Sequence, residues 1–338
     1  MTDIGNWLDD PHWFPDAFDA KANTVLMTKA KRDDLALVAF LDERWDRSGL
    51  HQKTVPVSQL SNSKPPFTNP RFIWHTAFCC STLLARCLDK PGANLSLREP
   101  TTLMSVANLK RMQGERASNS VLKLFLNALG RGFVDNECVT IKPTNIVNNL
   151  IGDVMQTHQN SKHVLLTSSL KSFIISIAKK GEGGRAFARK LFTIFAMDGH
   201  PVGQMDQRQL MQMSDLQIAA LVWHMQIANF LEVTQKIGPS RVAWLDGDVF
   251  VKSPEKTLKK VDAFLELNLG SDHIRATIEG PLFKKDSKDM KRDFGPENRS
   301  LEAEKVEKSL GDELKAIMDW SYSIFPASPK DGGLPFPL

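Results

Sequence analysis

From residue 71 onward the chain alternates short apolar runs with amphipathic stretches, and this alternation limits the possible folds more than any other feature. "RFIWH" (71–75), "ANLSLRE" (93–99), "CVTIKP" (138–143), "HVLLTSS" (163–169) and "RVAWLDG" (241–247) each read as a buried strand. Helical patterns separate them, over 81–89, 101–112, 118–130 and 144–155. In "SLKSFIISIAKK" the residues Leu170, Phe173, Ile174 and Ile177 also fall at helical spacing. Pro100 can occupy a helix's first turn. Strands that are continuously apolar, with helices between them, predict an α/β fold with a parallel sheet covered on both faces.

The remaining segments fit around that sheet. Residues 184–237 interrupt the alternation with a helical insertion, whose longest helix is capped by Ser214 and stopped by Gly238. Helices are also expected over 253–270 and 300–322, a charged loop over 283–299, and a tail after that. Near the start, 23–30 reads as a strand and 33–45 as a helix, before the Pro/Ser/Asn-rich loop 61–72. The expected division is an N-terminal α/β extension, 1–65, packed on a main domain, 66–338. No internal repeat is visible.

Composition narrows the function class. A 338-residue chain with a formal net charge of +4 suits an anionic small molecule and lacks a nucleic-acid signature. No apolar run reaches the length of a membrane span. The acidic start "MTDIGNWLDDPHW" has no basic region followed by an apolar one, so no secretory signal is expected. The four cysteines, Cys79, Cys80, Cys87 and Cys138, are too few for a disulfide framework and form no C-x-x-C pair. A reduced, cytoplasmic protein follows, with neither zinc knuckle nor thioredoxin-like site.

The chemistry is expected in "FIWHTAFCCSTLLARCL" (72–88), where a strand ends in a tight loop that opens a helix. Unpaired N–H groups and the helix dipole favour an anion there, and Ser81 and Thr82 add hydroxyls. The Walker pattern is absent, because the loop has neither glycine nor lysine. The competing readings are that Cys79, Cys80 and Cys87 are core with Ser81 a cap, or that one thiol is reactive.

Three patches resemble the sulfotransferases that use 3′-phosphoadenosine 5′-phosphosulfate, in particular bacterial sulfotransferase-like proteins. "AFCCSTLL" is similar to the loop that wraps the 5′-phosphosulfate, with Ser81 and Thr82 on its hydroxyl pair. "LLTSSLKSFIISI" resembles the 3′-phosphate segment, with Ser176 on its serine. "VAWLDGDVFVKSPEKTLKKVDAFLELNL" resembles the family's Pro-Glu-x-Thr-Leu…Phe-Leu segment. The likeness covers roughly residues 70–290. It implies a P-loop type architecture, the phosphosulfate nucleotide as co-substrate, and no metal.

The departures are specific. Phe78 replaces the loop's Lys or Arg, Cys80 its Gly, and Ser168 the 3′-phosphate Arg. Another cation or N–H array must then meet the charge that develops on the bridging oxygen. His75 and Lys142, at strand C-termini, are candidates, while Arg185, or else Lys284, Lys285 or Lys288, could supply the 3′-phosphate contact that Ser168 lacks. The resemblance implies that His75, Thr76, Ala77, Phe78, Cys79, Cys80, Ser81 and Thr82 hold the 5′ end, with Lys142, Ser168, Ser176, Arg185 and Lys288 completing the nucleotide site. Glu99 is the expected base, unless it pairs with Arg98 or another Arg, or begins the next helix. His75 is the second choice.

Asn145 and Asn148 are expected to read ligand or to cap. His224 is expected in the core, and Asp246 and Asp248 to be structural. The implied activity is sulfuryl transfer to a hydroxyl or amine of a small-molecule or carbohydrate acceptor. No nucleic-acid or membrane partner is expected, and homo-oligomerisation stays open. The rivals are a non-catalytic nucleotide- or anion-binding protein of the same fold, and another nucleotide-dependent P-loop enzyme, for which a Mg²⁺ requirement would speak.

Overall fold

The computed structural model describes residues 7–61, 68–288, 296–330 and 333–338. Eight strands form two sheets among them. β1 (Trp13–Asp19), β2 (Thr24–Lys29) and β3 (His51–Pro56) make an antiparallel sheet in that order. β4 (Arg71–His75), β5 (Asn94–Arg98), β6 (Cys138–Lys142), β7 (His163–Thr167) and β8 (Val242–Asp246) make a second sheet, ordered β5-β6-β4-β7-β8. Every ladder of the second sheet is parallel, as the apolar runs predict.

Side-chain parity divides the sheet between two cores. Phe72 and Trp74 of β4, Leu165 of β7 and Trp244 of β8 face the larger core, with the helices Thr101–Gln113, Glu115–Leu129, Leu170–Lys179, Gly181–Met197 and Asp215–Ile237. Ile73, Val164, Leu166 and Leu245 face the smaller one, under the helices Ser81–Cys87, Pro254–Leu265 and Ser271–Glu279. The chain leaves β4 toward β5 on one side and leaves β7 toward β8 on the other. The topological switch point, where open α/β sheets bind ligands, therefore lies at the C-terminal ends of β4 and β7.

The N-terminal sheet shares the larger core: Phe14, Phe18, Val25 and Met27 belong to it, and the Phe18 and Phe125 rings stand 5.1 Å apart. The helix expected over 33–45 is only Arg32–Ala36. The carbonyls that would continue it are taken by tertiary donors. Arg98 binds the carbonyls of Leu35, Ala36 and Val38, while Leu41 exchanges hydrogen bonds with Arg98 and Thr101. β1 and β3 carried no periodic signal. β3 buries only Val55, and β1 contains Pro15 beside a register shift.

Other boundaries moved less. Residues 144–155 form a 3-10 turn, Asn145–Leu150, and a helix, Ile151–Thr157. The insertion starts at Gly181, and the last helix, Pro296–Ile324, is broken at Gly311. Parts of the expected loops 61–72 and 283–299 and of the tail, namely residues 62–67, 289–295 and 331–332, lie outside the described residues. The end of the tail pairs with β8 through Trp244 N–H to Phe336 O (3.0 Å) and Leu338 N–H to Trp244 O (2.9 Å), covering that edge.

Candidate active site

The loop after β4 is strained where a phosphate loop would carry glycine. Ala77, Phe78 and Cys80 all have positive φ, 71°, 54° and 62°. Such a conformation costs an L-residue about 1–2 kcal/mol each and persists only where the surroundings enforce it. Successive residues of this kind turn backbone N–H groups into an anion-binding concavity. Cys80 is the N-cap of the helix Ser81–Cys87 and offers no side-chain cap, so Ser81 lies inside the first turn and is not the cap. Gly247, after β8, passes so close that a Cβ there would sit 2.3 Å from the Cys79 carbonyl oxygen.

The loop is fastened from behind. Ala77 N–H donates to His75 Nδ1 (3.1 Å), so the ring proton resides on Nε2 and is donated to Pro143 O (3.0 Å). Burial and the Lys142 and Lys288 charges push the His75 pKa well below the usual range. Both ring nitrogens are engaged, which corrects the expectation that His75 is a second-choice base. Thr76 and Thr167 share a hydroxyl contact of 3.2 Å. Gln226 Nε2 donates to Thr76 O and Asn148 Nδ2 to His75 O, both at 3.2 Å, while Asn145 Nδ2 holds Gln226 Oε1 (3.0 Å). The two asparagines therefore hold the strand end.

Cys79 points into the smaller core with its thiol on Leu166 O, and burial pushes its pKa up to about 12. Burial also raises the Cys87 thiol. A raised pKa disfavours the thiolate at Cys79 and Cys87, so the core reading fits these two. All four cysteines are free.

One strand over, Glu99 stands at the end of β5 with φ 55°. Its Oε1 accepts from Lys142 Nζ at 2.5 Å and its Oε2 lies 3.4 Å from Arg44. Lys142 is fully buried, its Nζ 5.8 Å from the Phe40 ring centre, and Arg44 stacks on the same ring at 3.6 Å. The expected alternative, pairing of Glu99 with an arginine, is met by Arg44 and not by Arg98, which is spent on backbone carbonyls. Lys288 arrives from beyond the helix Ser271–Glu279. Lys288 is an exposed residue, and desolvation and the Lys142 charge lower its pKa; Glu99, Asp286 and Cys79 also act on it.

Phe78 turns outward onto Phe173 (5.7 Å) and Phe187 (5.8 Å), with Lys180 Nζ over its ring at 5.8 Å. Phe173, Ser176 and Lys180 share one helical face, so Ser176 falls on the side that meets the loop. Arg185 does not. It is exposed and lies two residues, about 200°, around its helix from Phe187. Lys180 is a basic residue that does reach the loop, through the Phe78 ring.

Ser168 is buried, and its hydroxyl has no hydrogen-bond partner among the described residues. Asp246 Oδ1 accepts from Asp248 N–H (2.7 Å) and Asp248 Oδ2 from Ser172 Oγ (2.7 Å), which shapes the β8 turn. Among the described residues, no group of three or more His, Cys, Asp or Glu side chains is placed to hold a metal ion.

No family model and no curated protein matches this chain. Solved structures do. A sulfotransferase domain from the curacin biosynthetic pathway is 15% identical, over 77% of this chain and 98% of that one, with a TM-score of 0.43. A sulfotransferase from Mycobacterium avium is 8% identical, over 75% and 79%, with a TM-score of 0.41. One from Alicyclobacillus acidocaldarius is 12% identical, over 77% and 97%, with a TM-score of 0.39. Arg44, Phe40 and Lys180 were not legible as site residues. Each is a single solvated or aromatic side chain whose neighbours come from distant segments.

Proposed function

We propose that this chain is a cytoplasmic sulfotransferase. It moves a sulfuryl group from 3′-phosphoadenosine 5′-phosphosulfate to a hydroxyl or amine of a small-molecule or carbohydrate acceptor, without a metal. The observation that carries the reading is the Lys142–Glu99 pair beside the strained β4 loop, with Lys288 on the same charge cluster. Among the described residues no helix is long and apolar enough to cross a membrane, and the free cysteines fit a reducing compartment.

The residues divide the work. Backbone N–H groups from Ala77 to Thr82 face the 5′ end of the donor, while Ser168, Ser176 and Lys180 serve the 3′ phosphate. The incoming phosphosulfate competes with Glu99 for Lys142, and this frees the carboxylate. Glu99 takes the acceptor's proton as the acceptor oxygen or nitrogen bonds to sulfur. The bond from sulfur to the bridging oxygen breaks, leaving 3′-phosphoadenosine 5′-phosphate. Lys142 and Lys288 meet the charge that grows on that oxygen.

Calorimetric titration with 3′-phosphoadenosine 5′-phosphate, against adenosine 5′-monophosphate, tests the donor site. Micromolar binding that needs the 3′ phosphate and weakens in Lys288→Ala is expected. No binding by the folded protein would overturn the proposal. Glu99→Gln is expected to keep nucleotide affinity and lose transfer. A second reading, a binding protein without catalysis, is favoured by one feature: Glu99 is already held by two cations, Lys142 and Arg44. Nucleotide binding with no transfer to any hydroxyl or amine acceptor would select it.

A further inference from the structure

On the helical flank of the sheet lies a cavity of about 1210 Å³, larger than the ~300–1,000 Å³ typical of small-molecule sites. It is separate from the loop. Its deep end is Asn148 and Gln226, which hold the outer carbonyls of β4, and it runs from there between the helices Thr101–Gln113, Ile151–Thr157 and Asp215–Ile237. One wall is apolar: Phe195, Met205, Met225, Val233 and Phe325. Two more apolar side chains, Met197 (62% exposed) and Ile324 (40%), stand at its mouth. Methionines of this kind adapt to the shape of a flexible chain.

The opposite wall is polar and its charges are closed on one another. Lys110 pairs with Asp153 (2.5 Å), Arg111 with Asp198 (2.7 Å), and Lys236 with Glu232 (2.6 Å). Arg111 also donates to Ile146 O, and Asn149 Nδ2 to Asp198 Oδ1. His200 accepts from Val202 N–H, and burial lowers its pKa. The remaining charged group on the described lining is Glu115, which repels an anion. An anionic head would have to break one of these pairs or lie unpaired beside them, and a cationic head would find only Glu115, which is exposed and solvated, whereas a hydroxyl or amide can join the amide and carboxylate groups at no such penalty.

We infer that this cavity is a binding site for an uncharged amphiphile, an aliphatic chain with a hydroxyl or amide head. The site does not depend on the donor reading, because none of its argument uses the loop's anion chemistry.

The test uses the full chain and displacement of the neutral fluorophore N-phenyl-1-naphthylamine. Decanol, decanoate and decylamine share one chain and differ in the head. Decanol is expected to displace the probe about tenfold more strongly than either charged analogue. Gly152 lines the cavity in a helix, and a Cβ there meets nothing within 4 Å. A Cβ at Gly152 therefore has room, and Gly152→Phe is expected to fill the space, as is Ala228→Trp from the helix Asp215–Ile237. Either variant, checked for a normal melting transition, is expected to lower probe affinity about tenfold while binding 3′-phosphoadenosine 5′-phosphate as the parent does. Equal or better displacement by decanoate or decylamine would overturn the ligand class. Probe binding that survives in a folded filling variant would overturn the site.

Discussion

The two ends of the central sheet handle buried polar groups differently. At the N-terminal end they are matched to backbone or to one another. Arg241 donates to the carbonyls of Met155, His158 and Ser161, and Arg71 to those of Asn69 and Leu265. His163 takes the Trp74 indole N–H (3.1 Å) and meets Ser161 Oγ (2.7 Å) while stacked on Phe72. At the C-terminal end the buried Lys142 ammonium faces the Glu99 carboxylate, and the loop after β4 carries three non-glycine residues at positive φ within four positions. Backbone partners lock one geometry, whereas a cation held by a carboxylate can be shared with an incoming anion. If the proposed donor site is right, the first arrangement serves stability and the second serves binding.

The widest separation between the ends is expected from Lys142→Ala and Arg241→Ala. Removing Lys142 leaves Glu99 with the half-exposed Arg44 at 3.4 Å and the charge of Lys288, and breaking such a buried pair costs up to roughly 3–5 kcal/mol. It also removes the buried cation of the cluster. Lys142→Ala is expected to lower the melting temperature and to abolish nucleotide binding in the fraction that remains folded. Arg241→Ala is expected to lower the melting temperature with nucleotide affinity per folded molecule unchanged. Thermal melts paired with calorimetry read both. Lost nucleotide affinity in folded Arg241→Ala would erase the distinction.

Acid is expected to act on both ends together. His75 and His163 are held neutral chiefly by burial, and burial lowers His224 to about 3. In the unfolded chain each takes up a proton near pH 6.5. Folded pKa values below unfolded ones mean that stability is full above about pH 6.5 and declines as pH falls. The slope for each such histidine is about 0.7 kcal/mol per pH unit at pH 6.5 and approaches about 1.4 below it, so the three reach roughly 4 together only near pH 5.5, with smaller additions from His158 and His200. Urea titrations between pH 7.5 and 5.5 measure it. His163→Phe, which keeps the stacked ring, is expected to remove about a third of the part due to these three.

Relief of loop strain comes next in size. Cys80→Gly puts glycine at φ 62°, ψ 23° and is expected to stabilise by about 1 kcal/mol. For a chain of this size that is roughly 2 °C in melting temperature. A destabilised variant would show that the Cys80 side chain contributes more than its backbone loses.

The sequence made the stable part of this contrast easier to see than the functional part. Five apolar runs announced the parallel sheet because strands covered on both faces must be apolar throughout. Of the N-terminal sheet only β2 was legible, within the expected strand 23–30, because β3 is an exposed polar edge and β1 carries Pro15 beside a register shift. The residues now placed around the loop were half legible. Glu99, Lys142 and the loop itself stand at strand ends, which a βα pattern marks. His75 was misread as a possible base because the demands on its two nitrogens come from Ala77 N–H and Pro143 O, contacts that exist only in the fold. Lys180 and Arg44 carry no periodic signature, and only tertiary packing brings them to Phe78 and Glu99.

Lys180 provides the smallest and most discriminating test. It is exposed and its contact with the Phe78 ring is long, so its contribution to stability is close to nothing. If the loop side of the helix Leu170–Lys179 meets the 3′ phosphate, Lys180→Ala is expected to weaken 3′-phosphoadenosine 5′-phosphate about fivefold. It should leave adenosine 5′-monophosphate unaffected and make nucleotide affinity less sensitive to salt. Arg185→Ala, one turn further on and facing away, is expected to change neither. Equal losses for both nucleotides would place Lys180 at the 5′ end instead. An effect confined to Arg185→Ala would mean that the helix Gly181–Met197 turns toward the loop when nucleotide binds.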